Sequence, residues 1–202
     1  MFSGIVEATA RVAALEREKE NLHITLKCSF ANELKVDQSI AHNGVCLTVV
    51  RRDDSTYTVT AILETLQKSN LGLLKLGDEV NVERSMKIDS LLNGHLVQGH
   101  VDQTAVCTDV READGSWYFT FAYDPVAGNI TVEKGSIAVN GVSLTVVNSQ
   151  HGSFQVAIIP YTYEHTNFHA IRKNTVVNLE FDVVGKYIAK LAQLYMSPAD
   201  GQ

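Results

Sequence analysis

Cysteine is scarce in this sequence: Cys28, Cys46 and Cys107 are the only three in 202 residues, and no two have C-x-x-C spacing. That odd, unspaced set excludes a complete disulfide framework and a zinc knuckle, and it suits a reducing compartment. Proline is equally rare, at three residues, and a composition that is 45% hydrophobic and 20% charged excludes a disordered chain. Basic residues are in deficit as well, 17 Lys and Arg against 23 Asp and Glu for a net charge of −6. Phosphate backbones require basic patches, and none is present, so nucleic acid is excluded as the main partner. No run reaches about 18 apolar residues, and Met1-Phe2-Ser3-Gly4 lacks the basic and apolar regions of a signal peptide. The expectation is a soluble, cytoplasmic protein without membrane contact.

What is present is a duplication. Ala41 to Val50 reads AHNGVCLTVV and Ala138 to Val147 reads AVNGVSLTVV, identical at eight of ten positions with an offset of 97 residues. The same offset pairs Thr65 with Thr162, Asn70 with Asn167, and Val80-Asn81-Val82-Glu83 with Val177-Asn178-Leu179-Glu180. An offset of 95 pairs Gly4-Ile5-Val6 with Gly99-His100-Val101. The chain therefore divides into units at residues 1–90 and 91–185, each near the lower limit for an independent core.

Within each unit the hydrophobic period is that of strands. Leu22, Ile24, Leu26, Cys28 and Phe30 alternate with polar residues, as do Trp117, Phe119, Phe121 and Tyr123 after an Asp114-Gly115 turn. Asn43-Gly44 and Asn140-Gly141 are hairpin-turn signals. Short strands joined by tight turns predict an all-β fold of two tandem, homologous, six-stranded, Greek-key-like closed barrels, which remove exposed sheet edges. From Lys186 onward, Tyr187, Ile188, Leu191, Leu194 and Tyr195 fall on one helical face, so residues 186–202 form an amphipathic helix and tail. That face covers either its own barrel or a neighbouring subunit, and periodicity does not choose.

The MFSGIVE start, NGVCLTVV, GHLVQGH, KGSIAVNGVSLTVV and the closing helix together resemble the riboflavin synthase family over roughly residues 1–195. The resemblance implies a homotrimer of two-barrel subunits, with no cofactor or metal, that can associate with lumazine synthase. It implies a reaction in which two 6,7-dimethyl-8-ribityllumazine molecules dismutate. One gives a four-carbon unit to the other, leaving riboflavin and 5-amino-6-ribitylaminopyrimidinedione. Two identical substrates held face to face need two similar pockets, and a duplicated barrel supplies them. A donor and an acceptor nevertheless need different treatment, so positions where the repeats disagree are the candidates for chemistry.

Cys46 stands against Ser143: a thiol suited to nucleophilic or polarisable contact, and a hydroxyl suited to hydrogen bonding. Two small strand residues in a core explain the same positions equally well. His100 stands against Ile5 and places a group that titrates near neutral pH in one pocket only, within a reaction that must remove a proton from a 7-methyl group. A structural histidine is the ordinary alternative. His95 is not part of a metal helix, because HLVQGH lacks the glutamate of H-E-x-x-H. His42, against Val139, is read as a strand-end or turn residue without a role.

The resemblance implies catalytic roles for Cys46, His100, Ser143, Thr145 and Asp182, although a surface strand-end carboxylate is the common meaning of a position such as Asp182. It assigns Gly4, Ile5 and Val6, with Leu47, Thr48, Thr60, Ala61, Ile62, Leu63, Glu64 and Thr65, to a first substrate pocket. Gly99, Val101, Lys134, Leu144, Ala157, Ile158, Ile159, Pro160, Tyr161 and Thr162 fall to a second. Two departures stand out. Tyr161 replaces Glu64 of the first repeat, and Phe168-His169 replaces Leu71-Gly72, a glycine loss expected to alter the turn after Thr162. The rival reading is a non-catalytic lumazine or flavin carrier of the same fold, of the kind that serves as an optical antenna in luminous bacteria. Such a carrier needs only one furnished pocket.

Overall fold

The computed structural model describes residues 1–196; residues 197–202 of the expected tail, and the side chains of residues 127 and 194–196, lie outside the described residues. Strands β1 (Ala8–Glu18), β2 (Asn21–Lys27), β3 (Ser39–His42), β4 (Val45–Arg52), β5 (Thr56–Ala61) and β6 (Glu79–Arg84) close into a barrel in the order β1-β2-β5-β4-β3-β6. Strands β7 (Gln103–Ala113), β8 (Ser116–Tyr123), β9 (Ser136–Val139), β10 (Val142–Gln150), β11 (Ser153–Ile158) and β12 (Val176–Phe181) close in the matching order β7-β8-β11-β10-β9-β12. The alternating residues fill the interiors. Leu22, Ile24, Leu26, Cys28 and Phe30 are buried in the first barrel, and Phe119, Phe121 and Tyr123 in the second.

The cores share topology but not chemistry. Where the first barrel carries Ile24, Leu26 and Leu71, the second carries Phe119, Phe121 and Phe168, with Phe168 edge-on to Phe119 at 5.1 Å between centroids. His42 takes the strand-end place expected of it, but not without a role. It is buried at the end of β3, with Nε2 2.9 Å from the Tyr57 hydroxyl, while Nδ1 has no hydrogen-bond partner among the described residues. Burial lowers its pKa to about 4, so the ring is neutral at neutral pH.

Both Asn-Gly turns place their residues at positive φ, 45° and 81° for Asn43 and Gly44 and 46° and 77° for Asn140 and Gly141, as a type I′ hairpin requires. The two turns also meet each other. A Cβ on Gly141 would lie 2.7 Å from the Gly44 nitrogen, and one on Gly44 would lie 2.9 Å from the Gly141 nitrogen. Around this contact six buried asparagines bind across the barrels: Asn70 N–H donates to Asn178 Oδ1 (2.6 Å), Asn167 N–H to Asn81 Oδ1 (2.7 Å) and Asn167 Nδ2 to Asn43 Oδ1 (3.0 Å). Asn140 receives Asn70 Nδ2 at 3.1 Å.

Short helices α1 (Leu63–Lys68) and α2 (Pro160–His165) follow β5 and β11, each leading into a 3-10 turn, at residues 70–73 and 167–170. The expected disturbance from the loss of Gly72 is absent. Gly72 does not adopt positive φ; it is pressed against the Leu66 carbonyl, and the Phe168-His169 version makes the same turn. The final helix, α3, begins at Val183, three residues before the expected start, because the Asp182 carboxylate accepts the Val184 N–H at 2.9 Å and so caps it. Lys186 ties α3 to the second barrel through Asp102 at 2.7 Å. Among the described residues of the apolar face, Tyr187 is 70%, Ile188 61% and Leu191 53% exposed. A cleft of about 690 Å³ separates α3 from the segment Asn129–Ser136.

Candidate active site

The segments that enter the barrels cross over. Val6, just before β1 of the first barrel, packs on the core of the second, and Val101, just before β7, packs on the core of the first. The Gly4 carbonyl accepts the Ser143 N–H at 2.7 Å, and the Gly99 carbonyl accepts the Cys46 N–H at 2.8 Å. Both glycines have positive φ, and a Cβ on either would lie 2.6 Å from the Cβ of its partner, so no other residue fits. The expected assignment is thereby corrected. Gly4, Ile5 and Val6 stand with Ser143, Leu144 and Thr145 in the second barrel, and Gly99, His100 and Val101 stand with Cys46, Leu47 and Thr48 in the first. The repeat aligns the segments, but it carries no information about which barrel each one crosses.

Two buried carboxylates hold the crossing. Glu83 Oε1 accepts the Ser3 N–H (2.7 Å) and hydroxyl (2.8 Å), and its Oε2 accepts the Gly4 N–H (3.0 Å). Glu180 accepts the N–H groups of Gln98 (2.6 Å), Gly99 (2.9 Å) and His100 (2.9 Å). Burial raises the pKa of both carboxyls, against the pull of these donors. Sequence reasoning noted the Glu83 and Glu180 pairing without its use, since a main-chain clamp leaves no motif.

Strand pleat decides which expected site residues can face a ligand. On β4, Cys46 and Thr48 lie on the outer side while Leu47 is buried in the core; on β5, Thr60 is half-buried and Ala61 fully buried. The second barrel repeats the pattern: Ser143 and Thr145 face outward, Leu144 packs against the core, Ala157 and Ile159 are exposed and Ile158 is buried. Leu47, Ala61 and Ile158 can therefore offer only main-chain groups. Ile62, Leu63 and Glu64 are exposed, with Thr65 half-buried; Pro160 is exposed and Thr162 half-buried. Tyr161 is exposed and stacks on the His165 ring at 4.0 Å. Lys134 is exposed on the loop before β9, at φ 65°, with its N–H on the Val146 carbonyl. The His100 side chain is exposed although its main chain is clamped.

One residue passed over in the sequence enters the site. His95 is buried, with Nδ1 2.6 Å from Ser143 Oγ. Desolvation lowers its pKa, while the Asp182 carboxylate pulls the other way, so it is neutral at neutral pH. Cys46, the counterpart of Ser143, instead packs with Phe2, Ala41, Val97 and Ala138. Phe2 itself is fully buried and forms an antiparallel bridge with Val97.

Comparison with known proteins agrees with this doubled arrangement. A family model described as "Lumazine binding domain" matches twice, at residues 3–85 and 98–182. The riboflavin synthase of Mycobacterium tuberculosis (strain ATCC 25618 / H37Rv) is 41% identical over 197 residues, 95% of this chain and 98% of the relative. That of Actinobacillus pleuropneumoniae is 37% identical over 201 residues, 99% of this chain and 93% of the relative. The chain belongs to the riboflavin synthase family. Among solved structures, LumP complexed with riboflavin superposes with a TM-score of 0.82 at 20% identity, covering 90% of this chain and 99% of that one. LumP complexed with 6,7-dimethyl-8-(1'-D-ribityl) lumazine gives 0.81 at 19%, covering 89% and 98%. At such identities these two show the fold alone. Membership of the riboflavin synthase family rests on the full-length relatives.

Proposed function

We propose that this chain is a riboflavin synthase. It joins two molecules of 6,7-dimethyl-8-ribityllumazine by four-carbon transfer, giving riboflavin and 5-amino-6-ribitylaminopyrimidinedione. The observation that carries the reading is full-length identity of 37–41% to riboflavin synthases in a chain whose two barrels are both furnished with the expected residues. The first pocket is formed by Cys46, Thr48, Thr60 and the 60–65 segment with Gly99, His100 and Val101. The second is formed by Ser143, Thr145, Asp182 and the 157–162 segment with Gly4, Ile5 and Val6. Holding two lumazines in a near-attack arrangement lowers the barrier by up to about 7–11 kcal/mol, so positioning is the main catalytic effect. In this reading His100, on the segment against the first barrel, moves the 7-methyl proton.

The working form in this reading is a cytoplasmic homotrimer, with the first barrel of one subunit facing the second barrel of another, and it associates with lumazine synthase. The bare apolar face of α3 supports the oligomer, as do outward-facing site residues that lie open on a single subunit. The deciding experiment mixes the purified chain with 6,7-dimethyl-8-ribityllumazine, without added cofactor or metal, and follows absorbance. A riboflavin spectrum appearing with time is the expected result. Tight binding with an unchanged spectrum over hours would make the protein a carrier.

A further inference from the structure

Two matched strand positions, Cys46 and Ser143, make the same main-chain bond to a crossing glycine, yet their side chains meet different surroundings. The thiol lies in an apolar cluster with Phe2 and Val97. The hydroxyl lies 2.6 Å from a buried imidazole, His95 Nδ1. The contact is tightly built. The His95 N–H donates to the Ser3 carbonyl at 3.1 Å, and the preceding Gly94 is so close that a Cβ there would collide with that same Ser3 oxygen and with the Ser143 side chain.

A serine hydroxyl left alone rotates freely and presents its proton and lone pairs in several directions. A neutral imidazole at hydrogen-bond distance, itself fixed by its main chain, removes that freedom. Either ring tautomer fixes the rotor: Nδ1 accepts from the hydroxyl or donates to it. The second pocket therefore holds an oriented oxygen where the first holds a thiol among apolar groups.

We propose that His95 is a positioning residue that fixes the Ser143 hydroxyl toward the polar edge of the ligand ring in the second pocket, making that pocket the polar member of the pair. This rests on the riboflavin synthase reading. His95 acts only through Ser143 and does not touch the ligand.

The test is a double-mutant cycle on the full chain. His95→Ala is expected to lower kcat about tenfold, the effect of one oriented hydrogen bond, with KM within about twofold of wild type. In a Ser143→Ala background, His95→Ala should have no further effect. His95→Asn, whose amide reaches the place of Nδ1, should keep most of the activity, and His95→Gln, whose amide reaches the place of Nε2, should not. Losses that add in the double variant, or full activity in His95→Ala, would overturn the proposal. Should His95→Ala not fold, the order of the Asn and Gln variants decides.

If the wild-type chain forms no riboflavin, the functional reading falls separately. The His95 inference is then judged by riboflavin affinity at the second pocket, read from the single tryptophan. Trp117 stacks at 4.0 Å on Tyr163 of α2, the helix that begins at Pro160 of the pocket wall. Weaker binding in His95→Ala, absent in the Ser143→Ala background, supports the inference, and unchanged binding contradicts it.

Discussion

Asn70 donates its main-chain N–H to Asn178 Oδ1 at 2.6 Å, and the duplicate of this bond joins Asn167 N–H to Asn81 Oδ1 at 2.7 Å. Each bond fixes the turn that follows one pocket helix to the opposite barrel. Asn178 Nδ2 also donates to the Asn43 carbonyl at 2.8 Å. Replacing Asn178 with Ala leaves two buried main-chain groups unpaired, at about 1–3 kcal/mol each. Urea unfolding should show a lower midpoint and separation of the two barrels into distinct transitions. An unchanged single transition would mean that the asparagines do not couple the barrels.

The first barrel should respond to acid through His42. Its folded pKa of about 4 lies below the ordinary histidine value of 6.5, so between these values the unfolded state binds the extra proton. Stability from this group is complete above about pH 6.5 and is lost as pH falls toward 4, by about 3 kcal/mol. The raised carboxyls of Glu83 and Glu180 act in the opposite sense, since their contribution is lost as pH rises above the unfolded value. Comparing wild type with His42→Val/Tyr57→Phe isolates the histidine, because that pair copies Val139 and Phe154 of the second barrel. Chemical denaturation from pH 4 to 8 should show a flatter profile in the double variant; parallel profiles would exclude His42 as the cause.

The crossing of the entering segments predicts which pocket a substitution damages. Gly4→Ala drives a Cβ into Ser143, so ligand binding reported by Trp117 in the second barrel should weaken at least tenfold. Gly99→Ala, which collides with Cys46, should leave that signal intact. Fluorescence titration with riboflavin checks both, and the reverse pattern would mean that each segment serves its own barrel.

The bare face of α3 predicts association. Tyr187→Asp/Ile188→Asp should shift sedimentation from trimer to monomer and abolish turnover while the fold, read by circular dichroism, is kept. An active monomer would contradict a site shared between subunits.

The repeat, the Asn-Gly turns and the alternation of Leu22, Ile24 and Leu26 made the two barrels legible from sequence, because period and turn chemistry are local properties. The matched Cys46 and Ser143 were legible for the same reason. The crossing of Gly4 and Gly99 was not, since a segment bound through its carbonyl and amide groups carries no side-chain signature of its destination. His95 was set aside because the sequence was read for metal spacing, whereas its partner Ser143 is remote in the chain. His42 was legible as a strand-end residue, but its buried bond was not, because its partner Tyr57 lies on β5, which is not adjacent to β3 and which strand period alone does not bring to it.

Product balance tests the central claim most directly. After complete reaction of the purified chain with 6,7-dimethyl-8-ribityllumazine, chromatography should find two molecules consumed for each riboflavin formed, with one pyrimidinedione released alongside it. Lumazine recovered intact, or riboflavin formed without an equal amount of the pyrimidinedione, would contradict a dismutation carried out in paired pockets.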